Sequence, residues 1–345
     1  MSQNNFWKNP SPAAFALAPM EDVTDTVFRE LVMSTAAPGK LHLLFTEFTS
    51  VDGICHPSGR NAVLHRFLVN RSEATLLKKN NVKLIAQIWG NDPEKFFKAA
   101  EFIAREFLFD GIDINMGCPV GKVVKQNTCS ALIDHPELAL EIIEATIKGS
   151  GMPVSVKTRT GTHSHQTERW IGQLLGSDLS AITLHARTQK MLSIYPADWE
   201  QVSLAVKVMK GMKADVKILG NGDVNSYDAG LKLIESSGAD GVMIGRGIFA
   251  NPWFFSEDDS QRNVKEKVAL LEKHVRLFQE TWNNSRNFSI LKRFFKIYIH
   301  GFEGAAKLRA LLMDTRFSEE ALDIINQFRK GGFEHNIQEN VSETV

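Results

Sequence analysis

Eight short runs rich in apolar and β-branched residues recur between residues 15 and 246, and no other feature of the chain restricts its fold as strongly. They are FALAPM (15–20), LHLLFTE (41–47), VKLIAQIW (82–89), GIDINMG (111–117), PVSVKTR (153–159), AITLHAR (181–187), VKILGNG (216–222) and ADGVMIGR (239–246). Each is bounded by Gly, Pro or polar turn residues, as strands are. Between most of them lie helical patterns with good start signals: Asn91-Asp92-Pro93, Asp134-His135-Pro136 and Asn225-Ser226. Apolar strands alternating with crossover helices predict a parallel sheet covered by helices. A doubly wound sheet and a (β/α)8 barrel both satisfy that pattern. Eight units in about 245 residues match the barrel, and polar or unusual residues end nearly every run. Pro19 and Met20 end the first, then Glu47, Gln87, Asn115, Lys157 with Arg159, His185 with Arg187, Asn221 and Arg246. In a barrel these would converge on one face. The expected fold is therefore α/β, a (β/α)8 TIM barrel followed by a small C-terminal helical domain.

The helical domain is expected because strand character disappears beyond NPWFF (251–255) and the acidic SEDDS. KEKVALLEKHVRLFQETW, LKRFFKIYIHGF, AAKLRALLM and EEALDIINQF are amphipathic at a period of 3.6. The resulting division is 1–255 for the barrel, 256–335 for the helical domain and 336–345 for a flexible tail. Forty basic residues balance forty acidic ones, so net charge alone points to no nucleic-acid partner. The distribution is uneven: Gln261 to Lys330 carries fourteen Lys and Arg against eight Asp and Glu. That excess fits either a solvated helical surface or a phosphate-binding face.

Three cysteines without a Cys-x-x-Cys cannot build a disulfide framework or a structural zinc site, so a reducing cytoplasm is the expected compartment. No apolar run approaches 18 residues and no basic-then-apolar leader opens the chain, which argues against membrane spanning and secretion. His163 and His165 lack a third ligand at a suitable spacing, so no metal site is expected.

Chemistry concentrates at the strand ends. Gly220-Asn221-Gly222-Asp223 and Gly245-Arg246-Gly247 end the last two strands, where barrels commonly bind phosphate through backbone N–H groups. Arg246 could add a charge-assisted contact, although such glycines also serve plain tight turns. Lys157 sits in an otherwise apolar strand, where a buried ammonium requires a partner or an anionic ligand. His185 ends the next strand, as a structural residue or as a neighbour of that lysine. Cys118 lies in a Gly-Cys-Pro turn directly after the fourth strand, a placement that favours a catalytic thiol over packing. Cys129 opens a helix and reads as packing, and Cys55 is uninformative.

Taken together, LAPMEDVTD (17–25), INMGCPVGKVVK (114–125), VKTRTG (156–161), LHARTQ (184–189), NGDV (221–224) and ADGVMIGRGIFANPW (239–253) resemble the tRNA-dihydrouridine synthase family. The resemblance is continuous from residue 13 to about 255 and weaker in the helical region, where FKIYIHGFEGAAKLRALL carries it. It implies a flavoenzyme that holds FMN in the barrel mouth, takes electrons from NADPH and reduces the C5–C6 double bond of selected uridines in tRNA. By position the family's flavin contacts fall on Ala18, Pro19, Met20, Gln87, Lys157, His185, Asn221, Gly222, Asp223, Gly245 and Arg246. The proton-donating cysteine falls on Cys118, and Asn115 and Arg187 fall at the uracil or flavin edge. On this reading Arg276, Arg286, Lys292, Arg293, Lys296 and Arg309 are expected to contact RNA phosphates, and the protein is expected to act as a monomer.

Two departures stand out. The family is glycine-rich after the Cys-Pro loop, whereas KQNTCSALI leaves no glycine between Gly121 and Gly149, and Pro196 stands where small residues are common. A small-molecule pyrimidine dehydrogenase of the dihydroorotate or dihydropyrimidine type would share the phosphate glycines, the lysine and the cysteine, but has no need of a basic helical domain. An RNA-binding module with a relic barrel would leave Cys118, Lys157, His185 and Arg246 without a purpose.

Overall fold

The computed structural model describes residues 5–8, 13–258, 262–283 and 285–331; the expected tail at 336–345 lies outside them. The barrel elements run β1 (Ala14–Leu17), α1 (Thr26–Thr35), β2 (Leu43–Phe45), β3 (Thr49–Ser50), α2 (Arg71–Asn80), β4 (Lys83–Trp89), α3 (Pro93–Glu106) and β5 (Gly111–Met116). They continue with α4 (Pro136–Ser150), β6 (Val154–Arg159), α5 (Thr167–Leu174), β7 (Ala181–His185), α6 (Glu200–Gly211), β8 (Lys217–Asn221), α7 (Tyr227–Ser237) and β9 (Gly241–Ile244), with shorter helical turns between. Every pairing is parallel. β1 pairs with both β2 and β9, and β2 also pairs with β4, so eight strands close into a ring. This is the (β/α)8 barrel; the two-residue β3 adds only a short extra pairing on β4.

The helices begin where local chemistry starts them. Asp92 accepts hydrogen bonds from the Glu94 and Lys95 N–H groups, with Pro93 in the first turn of α3, and Ser226 accepts from the Ala229 N–H at the start of α7.

Strand alternation then sorts the side chains. Phe15, Leu17, Leu84, Ala86, Ile112 and Ile114 point outward into the layer beneath the helices. Ala14, Ala16, Leu43, Ile85, Ala181, Leu219 and Met243 fill the ring. Trp7, on a short 3-10 turn at Phe6–Lys8, joins that inner cluster and closes it from below. Going up the strands the inward positions change character, from these apolar residues to Gln87, Asp113, Asn115, Lys157, His185 and Asn221.

After β9 the chain forms α8 (Val264–Trp282), α9 (Ser289–Tyr298), α10 (Ala305–Asp314) and α11 (Ser318–Arg329). A capping box of Asn263 and Glu266 starts α8. This helical unit packs on α1: Phe28 lies against Phe294 and His274, and the His274 Nδ1 is 2.8 Å from the Tyr298 hydroxyl. Among the described residues no helix is long and apolar enough to cross a membrane.

Candidate active site

A cavity of about 460 Å³ opens at the C-terminal end of the barrel strands. Its wall includes Ala18, Pro19 and Met20 from the end of β1, Asn115 and Cys118 from the end of β5, and Lys157, His185 and Arg187. Asn221, Gly222, Asp223, Gly245 and Arg246 complete the side formed by β8 and β9. Residues spread over more than two hundred positions of sequence thus meet because parallel strands all end on one face.

The register explains the proximity. Asn115 is level with Lys157, Arg159 with His185, and His185 with Asn221. Lys157 Nζ donates to Asn221 Oδ1 at 3.2 Å, and Asn221 in turn donates to the Met243 carbonyl at 2.7 Å. An ammonium has three donors, and this is the one hydrogen bond that the Lys157 ammonium makes among the described residues. Burial, and after it the nearby Arg159, bring Lys157 down to about 8. His185 is held neutral, first by burial and then by the surrounding Lys157, Arg159, Arg187 and Arg246.

Asp223 is the carboxylate of this wall. It accepts from Arg187 at 2.5 Å, from Arg246 at 3.3 Å and from the Ala197 N–H at 2.9 Å. The Arg187 side chain is 2 % exposed, whereas that of Arg246 is 61 % exposed and reaches over the rim. Gly222 sits at φ +123°, and a Cβ there would come within 2.8 Å of the Ala197 Cβ and 3.2 Å of the His185 ring. No L side chain fits that cradle without displacing its neighbours.

Cys118 is held from three sides. The Asn115 Oδ1 accepts from the N–H groups of Gly117 and Cys118 at 3.1 and 3.0 Å, and the Cys118 carbonyl accepts from the Ser130 hydroxyl at 2.7 Å. Arg159 donates to the Gly117 carbonyl at 2.7 Å and to the carbonyls of Thr188 and Leu192. The Cys118 thiol is brought down to about 7, chiefly by the Cys129 thiol, with help from the Val120 N–H and then from Arg159 and Lys157, against the effect of burial.

Two expected residues take other places. Gln87 does not line the cavity; it is fully buried one layer below, donating to Asp113 at 2.7 Å and accepting from Asn115 at 3.0 Å. With one bond at each end of its amide, it supports Asn115 from below. Arg286 is not an exposed phosphate contact. It inserts between the helical unit and the barrel, pairing with Asp25 at 2.8 Å, Glu47 at 3.1 Å and Asp22 at 3.4 Å, with Trp282 beside it.

The other expected phosphate contacts lie outside the cavity. Arg276 pairs with Glu272, Arg293 reaches Asp22, and Lys292 and Arg309 donate to the Met313 and Ile299 carbonyls, while Lys296 is exposed on α9. Arg159, which the sequence places at a strand end without a role, also lines the cavity. The signal was its spacing: two residues beyond Lys157, it must share that lysine's face of the strand. Among the described residues no three His, Cys, Asp or Glu side chains gather as a metal-binding group.

A family profile described as dihydrouridine synthase matches residues 16–332. The chain belongs to the dihydrouridine synthase family. It is accordingly an oxidoreductase of that family. A "Probable tRNA-dihydrouridine synthase" of Staphylococcus aureus (strain MRSA252) is 39% identical over 328 residues, which are 94% of this chain and 96% of the relative. One from Staphylococcus epidermidis (strain RP62A) is 40% identical over 329 residues, 94% of this chain and 97% of its own length. The "Probable tRNA-dihydrouridine synthase 2" of Bacillus subtilis (strain 168) is 39% identical over 328 residues with the same coverage, 94% and 97%. A dihydrouridine synthase has to bring a reductant and a proton donor to one double bond, and Cys118 faces the same cavity as the Lys157 ammonium.

Proposed function

We propose that this dihydrouridine synthase reduces the C5–C6 double bond of uridines in tRNA, with FMN in the barrel mouth, NADPH as electron donor and Cys118 as the proton donor. The observation that carries this reading is the meeting of Cys118, Lys157, His185, Asn221, Gly222, Gly245 and Arg246 around one cavity. The residues fit an anionic, flat cofactor. The Lys157 ammonium has one partner and donors to spare, and Gly222 and Gly245 line the cavity without side chains, which leaves backbone there for an anion to approach. A volume of about 460 Å³ lies within the usual range for a cofactor site. Arg246 with the amides around Gly222 and Gly245 would hold the phosphate, Lys157 an electron-rich ring edge, and Ala18, Pro19 and Met20 an apolar face.

FMN, when bound and reduced, supplies hydride to C6 of the uracil. The protein's own contribution is to hold a proton for C5 and to stabilise negative charge. Cys118 carries that proton on Sγ, and the turn anchored by Asn115 and Arg159 fixes where the thiol sits. Lys157 offers positive charge where the reacting system becomes electron-rich. His185, neutral and bonded to Arg187 at 3.1 Å, can place a neutral hydrogen bond there without adding charge. A uridine in folded RNA must leave its stack to reach this depth, and contacts elsewhere on the RNA supply that free energy. Lys296, Arg293, Arg276, Lys292 and Arg309 of the helical unit are the proposed phosphate contacts. The relatives' names are the source for tRNA as the RNA concerned. The protein is further read as a cytoplasmic monomer.

The test is NADPH oxidation by the FMN-loaded protein with unmodified tRNA, followed by mass mapping. Gain of two hydrogens at a defined uridine supports the reading. Unchanged RNA together with reduction of a free pyrimidine would replace it with a small-molecule dehydrogenase.

A further inference from the structure

Cys129 occupies an unusual backbone. Its φ is +55°, the left-handed region that suits glycine and costs other L residues about 1–2 kcal/mol, and Asn127 two positions earlier has φ +54°. Both lie in the glycine-poor stretch after the Cys-Pro loop, so here asparagine and cysteine take conformations that glycine would take freely. Asparagine tolerates that region; cysteine has no such aptitude.

The position of the Cys129 side chain shows what the strained backbone accomplishes. The residue is fully buried at the start of a 3-10 turn, Cys129–Asp134, with its thiol near enough to that of Cys118 for the two to influence one another. Ser130 ties the two segments together, its N–H reaching the Cys118 carbonyl at 3.4 Å and its hydroxyl the same oxygen at 2.7 Å. Cys118 is half-buried and opens on the cavity, so a small solute reaches one sulfur of the pair while the other is enclosed.

We infer that Cys118 and Cys129 form a reversible dithiol–disulfide couple, with Cys118 the sulfur oxidised by a hydroperoxide and Cys129 the resolving thiol. The Cys118 thiolate attacks the outer peroxide oxygen; the S–O bond forms, the O–O bond breaks, and hydroxide or an alkoxide leaves and takes a proton. Cys129, giving its proton to water, then attacks the Cys118 sulfur. The S–S bond forms, the S–O bond breaks, and hydroxide departs as water. Two thiols lose two electrons and one hydroperoxide gains them. The couple rests on the reading above only in its consequence: a disulfide removes the proton donor for C5, so turnover stops until a thiol reductant restores it. Because an enclosed resolving thiol captures the sulfenic acid, Cys118 is also kept from irreversible oxidation.

The test treats the full-length protein with hydrogen peroxide, then blocks free thiols and maps the peptides by mass. The expected result is a cross-linked Cys118–Cys129 peptide lacking two hydrogens, reversed by dithiothreitol, with Cys55 still free to alkylate. In Cys129→Gly, which the positive φ accommodates, the expected product is sulfinic acid at Cys118 that dithiothreitol does not reverse. Cys129→Ser, which keeps a donor but cannot cross-link, should behave like Cys129→Gly. Sulfinic acid forming equally fast in wild type and Cys129→Gly, or no cross-linked peptide in wild type, would overturn the couple. These readouts need no RNA, so a cross-link without any uridine reduction would keep the couple and sink the proposed activity instead.

Discussion

Of the places where the molecule gathers charge, two are unbalanced in opposite directions. At the barrel mouth Lys157, Arg159, Arg187 and Arg246 share the cavity wall with one carboxylate, Asp223, which Arg187 and Arg246 engage, while the Lys157 ammonium makes a single hydrogen bond among the described residues. Where the helical unit meets the barrel, Asp22, Asp25 and Glu47 surround Arg286, with Arg293 at the edge. The second cluster is closed. Asp25 also accepts from the Trp282 indole at 2.9 Å and Glu47 from the Asp22 N–H at 2.6 Å, so its buried oxygens are occupied. Burial nevertheless pushes the Asp25 carboxyl up against the pull of Arg286. The difference bears on function: a cluster whose partners are all supplied by the fold holds two units together, whereas the cationic one, open to a cavity, is where the proposed function places an anion.

Substitutions can break that comparison, and the largest effect is expected in the cavity. Cys118→Ala should retain bound FMN while losing about 10²- to 10⁴-fold in single-turnover uridine reduction, the usual worth of a general acid. Flavin absorbance measured beside the rate separates lost chemistry from lost binding. Arg286→Ala should act on stability instead. With two buried carboxylates left facing each other, it should cost about 3–5 kcal/mol in urea unfolding, with the flavin site of the remaining folded fraction intact. A variant as stable as wild type would show that the acidic cluster does not depend on its arginine.

Lys157→Met should weaken FMN binding on the order of 10- to 100-fold by fluorescence titration, since it removes one charged hydrogen bond. Unchanged affinity would mean that the ammonium serves the reaction and not the cofactor. The pH profile sharpens the picture further. Cys118 must be protonated to act, so turnover should fall as pH rises through about 7. Cys129→Ala removes the thiol that lowers Cys118, so the alkaline limb should move upward toward the ordinary thiol range; a stationary limb would assign it to another group. The smallest effect belongs to the exposed helical surface, where Lys296→Ala should weaken tRNA binding modestly and reduce the salt slope by ~1, without altering FMN affinity.

The barrel was legible because each of its devices is local. Alternation in GIDIN and VSVKTR, Pro93 after Asp92, and the glycines of NGD and GRG each signal strand, helix start or turn within a few residues. The cavity followed, because parallel strands in a closed ring must all deliver their last residues to one end. What stayed hidden were pairings between distant segments. Arg286 looked like any basic residue of an amphipathic stretch until Asp25 and Glu47, more than two hundred positions away, were found beneath it. Gln87 closes a run like its neighbours, yet its register with Asp113 engages its amide below the cavity wall. Cys129 resembled packing because nothing in CSALI announces a left-handed residue or the sulfur it meets.

The sequence by itself thus determined the kind of fold, the end of the barrel where chemistry gathers and most residues at that end, since periodicity and strand ends are properties of short stretches. The tertiary structure alone decided which charges neutralise one another, which remain open to the cavity and which thiol faces Cys118. Those choices depend on register and on long-range contact, where a shift of one residue would turn a side chain to the other face of its strand.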